Sequence, residues 1–436
     1  MNQLISCCDG YVIIGLKDSA FVLNCQTNSI TELKRKTDEK SLPVNEETVK
    51  EATKDSDENE SSQKSVGSKK QKSEEELSTI HAVAVSLSQD SILYCAIARG
   101  DKSLALYKVK SDDQQPAELL PYLVYETTKR ISCMSFAAGE PTTDHGAATS
   151  SPRPLLLVAG DLAGDAHAFS LDGDLKRHKL LLGHTASMLT GLCISNSVLL
   201  TADRDEKIRI SSFPQTFVIE GFLLGHEAYI TALDASSNGI VATASGDSTV
   251  RLWNVKTQKQ ISELSVPKTG PVDSQPSEEN ETSQDLIPID LSFNADGTLL
   301  AVIFDQSNRL DLYRVPSPAA TEENDQQEEV GKLELVQSVV CTSQPLGVRS
   351  QGTDFFYVVQ RDPNFVTRFQ ITTHESTLVV EQNSPVIQEL RNLVASRQIV
   401  MQETILERDQ YGQVKLKKLH ETRGPAAGNE PWNRSE

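Results

Sequence analysis

Two stretches of this sequence align with each other without a gap at an offset of 42 residues. The first begins at Leu181 and reads LLGHTASMLTGLCISNSVLLTADRDEKIRISSF. The second begins at Leu223 and reads LLGHEAYITALDASSNGIVATASGDSTVRLWNV. In both, short alternating apolar and polar runs are broken by Gly, Asn and Asp, the pattern of strands joined by tight turns. A repeat of this length predicts an array of similar supersecondary units.

The second stretch contains a set of residues that resembles the WD repeat. Gly225 and His226 are followed by Thr243, by Asp247 at 21 residues after the histidine, and by Trp253 six residues further on. These residue types suit a buried chain of hydrogen bonds. The aspartate would orient the histidine, the histidine would meet Thr243, and Thr243 would meet the indole N–H. A satisfied buried network of this kind makes a fold rigid.

The first stretch has the same set with one change, because Ser211 stands in place of the tryptophan. The gapless alignment matches Asp205 with Asp247. We expect structural and not catalytic roles for the aligned residues, which are His184, Thr201, Asp205, His226, Thr243, Asp247 and Trp253.

Weaker copies of the pattern flank these two, and together they give seven units that start near residues 4, 79, 131, 181, 223, 286 and 333. One blade cannot bury its sheet alone, so the ring must close to remove exposed edges. When the insertions are removed, the remaining residues are enough for about seven blades of the usual 40 to 45 residues. The sequence therefore predicts an all-β fold, a seven-bladed WD-repeat β-propeller over residues 1–383.

Two further segments interrupt or follow the predicted blades. Residues 34–78 are densely charged and poor in apolar residues, which predicts a disordered insertion between blades 1 and 2. Shorter polar insertions fall at 140–153, 267–285 and 316–331. Residues 384–436 are expected to form a short helix packed on the propeller, with apolar spacing at Val386, Leu390, Leu393 and Val394, and then a flexible tail.

The composition argues against several classes of function. The net charge of -19 argues against a protein that holds nucleic acid by itself. Seven cysteines without a C-x-x-C pair favour buried thiols in a reducing, intracellular compartment over a metal or redox site. The N-terminal residues lack the features of a signal peptide or membrane span. No nucleophile, zinc or phosphate-loop motif occurs in the required context, so a binding module is favoured over an enzyme.

The segment ADRDEKIRIS at 202–211 is much more charged than its counterpart ASGDSTVRLW at 244–253. Arg204, Glu206 and Lys207 stand where the second stretch has Gly, Ser and Thr. The loop that carries Gly-His adds Lys179 and two further basic residues, which we expect on the same face. The residues alone leave two explanations open, a solvated turn or an interaction site.

The sequence around this turn resembles the non-catalytic WD-repeat subunit of the tRNA (guanine-N7-)-methyltransferase, most closely over residues 180–255. The resemblance implies a one-to-one heterodimer with a Rossmann-type methyltransferase that binds S-adenosylmethionine and forms 7-methylguanosine in the tRNA variable loop. The propeller itself would hold no cofactor, no metal and no catalytic residue, and would stabilise its partner. It also implies that Lys207 docks against acidic side chains, with Arg204, Glu206 and Lys179 as neighbours.

The same resemblance implies a nuclear protein, also present in the cytoplasm, that contacts tRNA mainly through its partner and does not bind membranes. Two other functions stay open at this point. One is a general WD-repeat scaffold or substrate receptor in a ubiquitin-ligase or chromatin complex, and the other is a propeller hydrolase. Direct tRNA contact through the KRHK segment at 176–179 and the basic tail would be a minor contribution.

Overall fold

A computed structural model describes the chain at residues 3–35, 77–110, 118–139, 154–171, 178–185, 187–266, 286–316, 331–361, 363–372, 376–381, 384–397 and 399. The predicted insertions at 140–153 and 267–285 lie outside the described residues, as do all but the ends of 34–78 and 316–331. The predicted tail beyond residue 399 also lies outside them.

Seven sheets of antiparallel strands form the blades. Blades 1 and 2 comprise β1 (Ile5–Cys8), β2 (Tyr11–Leu16), β3 (Ser19–Asn24), β4 (Ser29–Leu33), β5 (Ile80–Leu87), β6 (Ile92–Arg99), β7 (Ser103–Lys110) and β9 (Leu123–Glu126). Between them, β8 (Glu118–Leu119) pairs in parallel with β4 and widens blade 1. Blades 3 and 4 comprise β10 (Ile131–Ala138), β11 (Leu155–Asp161), β12 (Asp165–Ser170), β13 (His178–Gly183), β14 (Leu189–Ser195), β15 (Val198–Asp203), β16 (Ile208–Ser212) and β17 (Ile219–Leu223).

The remaining blades follow the same order. Blade 5 comprises β18 (Ile230–Ala235), β19 (Ile240–Ser245), β20 (Thr249–Asn254) and β21 (Lys259–Ser265). Blade 6 comprises β22 (Pro288–Phe293), β23 (Leu299–Phe304), β24 (Arg309–Arg314) and β25 (Glu334–Val340). Blade 7 comprises β26 (Pro345–Gln351), β27 (Phe355–Gln360), β28 (Val366–Ile371) and β29 (Leu378–Val380), and one helix, α1 (Pro385–Ser396), follows it.

The first strand of each blade contacts the first strand of the next, and β26 returns to lie beside β1. The predicted seven-bladed propeller is therefore confirmed. The sequence units are out of phase with the blades, since those starting near 181, 223 and 333 begin at the outermost strand of the preceding blade. The reason is that Gly-His follows an outer strand, so a repeat counted from it spans two blades.

The core lies between the blades. Middle strands such as β2 and β23 are buried over their whole length, which explains why they read as unbroken apolar runs. Apolar side chains of adjacent blades form one cluster after another around the ring, and blades 6, 7 and 1 share the largest one. Burial of apolar surface between blades thus supplies most of the stability of the ring.

Helix α1 closes the ring from the outside. Pro385 occupies its first turn, where the missing N–H costs no hydrogen bond. Val386, Leu390 and Val394 are buried in the cluster shared by blades 6, 7 and 1, and Leu393 is partly buried. The predicted apolar spacing thus corresponds to the packed face of this helix. Across the described residues, no helix combines the length and apolar character needed to cross a bilayer.

Candidate partner-binding site

The charged turn, defined as residues 204–207, joins β15 to β16 in blade 4. Asp203 holds its backbone, because Oδ1 of Asp203 accepts the N–H of Asp205 at 2.8 Å and that of Lys207 at 3.2 Å. The N–H of Arg204 donates to the carbonyl of Met188 at 3.1 Å. Glu206 has a φ of +73°, in the left-handed region that tight turns require. A buried acceptor therefore fixes the position of an otherwise surface turn.

The side chains of the charged turn lie at the surface. Lys207 is exposed, whereas Arg204, Asp205 and Glu206 are partly exposed. Arg204 Nε lies 3.7 Å from Asp205 Oδ1. Within the part of the chain that the structure describes, the ammonium of Lys207 forms no ion pair. Lys207 is thus a cation held on a fixed backbone and available to a carboxylate from outside the chain.

Lys179 does not lie beside the charged turn. It is exposed on β13 and pairs in register with Ala168, whereas the end of β13 nearest the charged turn is Gly183, opposite Asp165. Four residues of extended strand place Lys179 about 13 Å below that end. This differs from the expected cluster, because β13 begins at the end of the sheet opposite to Gly183. The two further basic residues expected beside it, 176 and 177, lie outside the described residues.

The structural aspartate of blade 4 is Asp203 and not Asp205, so the role expected for Asp205 is corrected. His184 Nδ1 lies 2.9 Å from Asp203 Oδ2, and His184 Nε2 lies 2.8 Å from Thr201 Oγ1. The gapless alignment failed because Asp203 is the last residue of β15, two positions before the residue that matches Asp247. Blade 3 contains a sequence indication of this role, because its strand β11 also ends in an aspartate, Asp161.

Blade 5 contains the complete chain of hydrogen bonds. His226 Nδ1 lies 2.9 Å from Asp247 Oδ2, and His226 Nε2 lies 2.7 Å from Thr243 Oγ1. The indole N–H of Trp253 donates to Thr243 Oγ1 at 2.8 Å. Burial alone would raise the pKa of Asp247, but hydrogen bonds from His226, Thr249 and the backbone hold it well below its usual range. The carboxylate therefore stays ionised at neutral pH.

In blade 4, Arg209 contacts the serine that stands in place of the tryptophan, a contact that the sequence comparison did not identify. Arg209 Nε donates to the buried Ser211 hydroxyl at 2.9 Å. Its Nη1 donates to the carbonyl of Gly183 at 3.4 Å and its Nη2 to the carbonyl of Thr216 at 3.1 Å. Burial lowers the pKa of Arg209 below the usual value for arginine. Arg209 thus braces the strand that leaves the charged turn against blade 3.

Among the described residues, one group could hold a metal ion, since ligand atoms of Asp161, Asp165 and His167 lie within 4.8 Å of one another. Asp161 Oδ1 already accepts the N–H of Ala163 at 2.8 Å and that of Asp165 at 3.0 Å. These are turn contacts like those of Asp203. We therefore assign Asp161 to the fold.

Comparison with known proteins places the charged turn inside a matching region. Residues 168–346 match the family model described as tRNA methyltransferase TRM82 WD40 domain. The chain is 31% identical over 188 residues to the tRNA (guanine-N(7)-)-methyltransferase non-catalytic subunit wuho of Culex quinquefasciatus, covering 42% of each protein. It is 35% identical over 185 residues to the subunit of that name from Aedes aegypti, covering 39% of this chain and 41% of the relative. The chain thus spans less than half the length of these relatives.

Solved structures resemble the chain in fold. The Myceliophteria_thermophila Cps50 (Swd1) beta-propeller domain matches with a TM-score of 0.51 at 11% identity, covering 85% of this chain and 98% of that one. A chain of the mitotic checkpoint complex matches with a TM-score of 0.52 at 13% identity, covering 82% of this chain and 84% of that one. The family model and the curated relatives agree with the resemblance found at the charged turn, since residues 168–346 are similar to the tRNA methyltransferase TRM82 WD40 domain.

Proposed function

We propose that this chain is the non-catalytic subunit of a tRNA (guanine-N7-)-methyltransferase, which binds the catalytic subunit and stabilises its active conformation. The observation that carries the proposal is the charged turn. Its backbone is fixed by Asp203, it presents Lys207, which forms no ion pair with any residue that the structure describes, and it lies inside the region that matches the TRM82 WD40 family. The relatives from Culex quinquefasciatus and Aedes aegypti are named as non-catalytic subunits of this enzyme.

The geometry suits a docking role. Because the backbone of the turn is already fixed, binding has to order only the side chain of Lys207, so more of its interaction with a carboxylate contributes to affinity. Charged pairs at the centre of an interface set register and exclude wrong partners. In this proposal the catalytic subunit holds S-adenosylmethionine and most tRNA contacts, the two chains pair one to one, and the complex acts in the nucleus and also in the cytoplasm.

The first experiment is affinity purification of the tagged chain from its own cells, with stoichiometric partners identified by mass spectrometry. We expect one methyltransferase at a one-to-one ratio. A cullin adaptor or a chromatin subunit at that ratio would instead support the general scaffold function and overturn the proposal.

Lys207→Glu tests the docking residue. Because this substitution places a like charge against the partner's carboxylates, we expect binding to weaken about 30-fold or more. Lys256→Glu makes the same charge change on an exposed turn at the opposite end of blade 5 and should have no effect. Titration of each purified variant with the catalytic subunit gives the affinities, and thermal melting shows that each is folded. Equal affinity for Lys207→Glu and the wild type would remove Lys207 from the interface.

A further inference from the structure

The charged turn is too small to form a stable interface by itself. Stable protein complexes bury about 800 Å² on each partner and use about 20–30 residues a side. Four residues of one turn cannot supply that surface. If the chain binds a catalytic subunit as proposed, the contact must extend from the turn over neighbouring parts of the propeller.

The outer edge of blade 4 exposes a run of large apolar side chains, which we call the blade 4 rim and define as residues 217–224. The exposed fractions are Phe217 81%, Val218 43%, Ile219 49%, Phe222 41% and Leu224 63%. Soluble monomers rarely expose apolar side chains in contiguous patches of this kind unless the patch binds something. The equivalent strand of blade 5, β21, instead exposes Lys259, Gln260 and Glu263. The outermost strand of a blade therefore does not require exposed apolar residues.

The blade 4 rim is continuous with the charged turn. Lys207 is followed by Ile208, which pairs in register with Leu223, so Leu224 lies at the same end of the blade as the turn. Ser211 pairs with Ile219 further down the strand, and residues 217 and 218 come just before it. The apolar side chains thus extend along the outer strand from the turn towards the opposite end of the blade.

One face of this strand borders blade 3. Phe222 pairs with Arg209 across the strands and so shares its face, and Arg209 donates to the Gly183 carbonyl of blade 3. The Thr216 hydroxyl donates to the Leu181 carbonyl at 2.5 Å, which ties the start of the rim to β13. These bonds hold the outer edges of blades 3 and 4 side by side, and we call the space between these edges the outer groove, with Phe222 and Ile219 on its blade 4 wall.

The blade 3 wall of this groove carries Lys179. Lys179 pairs with Ala168, which shares a face with Ala166 and Leu182. Leu182 packs with Leu189 of blade 4, so this face is the one turned towards the groove. The groove therefore offers an apolar wall, a lysine across from it and Lys207 at one end. A protein surface with an apolar segment flanked by carboxylates is the partner that matches these charges.

We infer that the catalytic subunit docks along the charged turn and the blade 4 rim together, with an apolar segment packed on Phe222, Ile219 and Phe217 and a carboxylate at Lys179. This inference rests on the proposed function, since it extends the same interface. The turn and the rim both lie within residues 168–346, the region that matches the family. Well-packed aromatic side chains carry much of the binding energy in such interfaces, whereas rim charges mainly set specificity.

The test measures the affinity of the purified full chain for the purified catalytic subunit of the same organism by biolayer interferometry. The double variant Phe217→Ser, Ile219→Ser should bind about tenfold or more weakly. The double variant Phe217→Leu, Ile219→Val keeps apolar side chains and should bind nearly as well as the wild type. Val340→Ser removes a side chain that is 75% exposed on the outer strand of blade 6 and should change nothing. Because all these side chains are exposed, melting temperatures should stay close to that of the wild type.

The outcomes separate the inference from the proposed function. If the wild type does not bind the catalytic subunit, the proposed function fails. If the wild type binds, Lys207→Glu does not, and the serine double variant binds like the wild type, the rim is not part of the interface and the inference is overturned. Self-association of the isolated chain that the serine variant abolishes, with partner affinity unchanged, would assign the rim to a second copy and overturn it equally.

Discussion

At the residue scale, Asp203 has two tasks that one buried carboxylate performs at once. Its Oδ1 holds the backbone of the charged turn, and its Oδ2 lies 2.9 Å from the ring of His184. The side chain of Asp205, by contrast, is partly exposed and contacts only Arg204 among the ion pairs of the described residues. Asp203 therefore holds the charged turn and the histidine ring in place, whereas Asp205, two positions later, does neither.

Asp203→Ala should lower the free energy of unfolding by about 1–3 kcal/mol, because it leaves the backbone N–H groups of Asp205 and Lys207 and Nδ1 of the His184 ring without their acceptor. It should also weaken partner binding, because the charged turn loses its fixed shape. Thermal melting and titration with the catalytic subunit measure the two effects. Asp205→Ala is the matched control, and a melting temperature that falls as far for Asp205→Ala as for Asp203→Ala would contradict the assignment.

The sequence predicts the blade 5 hydrogen-bond chain correctly but misassigns the blade 4 aspartate. In blade 5, the spacing of His226, Asp247 and Trp253 follows the WD pattern, so each residue type indicates its own role. In blade 4 the carboxylate comes from the end of a strand and not from the turn, so spacing alone selects the wrong residue. The contacts of Arg209 cannot be predicted from the sequence, because the guanidinium reaches backbone carbonyls that carry no sequence signal.

At the scale of elements, helix α1 joins the two ends of the ring. Arg391 donates to the carbonyls of Asn364 and Val366 in blade 7. Arg397 Nη1 and Nη2 donate to the two carboxylate oxygens of Glu32 in blade 1, at 3.0 and 2.6 Å. Blade 7 is built entirely from residues 345–380 and exchanges no strand with blade 1. The helix therefore supplies a bridge in place of a shared strand.

Arg397→Ala should lower the melting temperature, because it removes a bidentate ion pair with Glu32, whose side chain is only 8% exposed. We expect a loss of about 1 kcal/mol in the free energy of unfolding, since Lys34 still lies 3.1 Å from Glu32. Arg314→Ala is the control, because its ion pair with Glu334 is 3.9 Å long and exposed on both sides. Differential scanning calorimetry that shows equal changes for the two variants would argue against a closing role for α1.

The helix itself is predictable, whereas its partner is not. Apolar residues at Val386, Leu390 and Val394 recur at helical spacing and predict a packed face. Nothing in the sequence links Arg397 to Glu32, because the two residues are 365 positions apart and meet only when the ring closes. Contacts of this kind follow from the number of blades and not from any local pattern.

At the scale of the whole molecule, the fold of the propeller repeats from blade to blade, whereas its surface does not. The repeat period predicts seven blades because each unit needs two neighbours to bury its faces. The charged turn and the blade 4 rim depart from the repeat, and so their positions stand out when the blades are compared. The net charge of -19 is a property of the whole chain, and it opposes association with polyanions.

The isolated chain should therefore bind tRNA weakly, with a Kd no tighter than about 10 µM near 0.15 M salt, because tight binding to phosphates needs a surface rich in lysine and arginine. The complex with the catalytic subunit should bind much more tightly, since that subunit would supply most phosphate contacts. Fluorescence anisotropy with a labelled tRNA measures both affinities. If the isolated chain bound as tightly as the complex, loss of that binding in the double variant Lys176→Ala, Arg177→Ala would place direct contacts at the KRHK segment and contradict the division of roles proposed here.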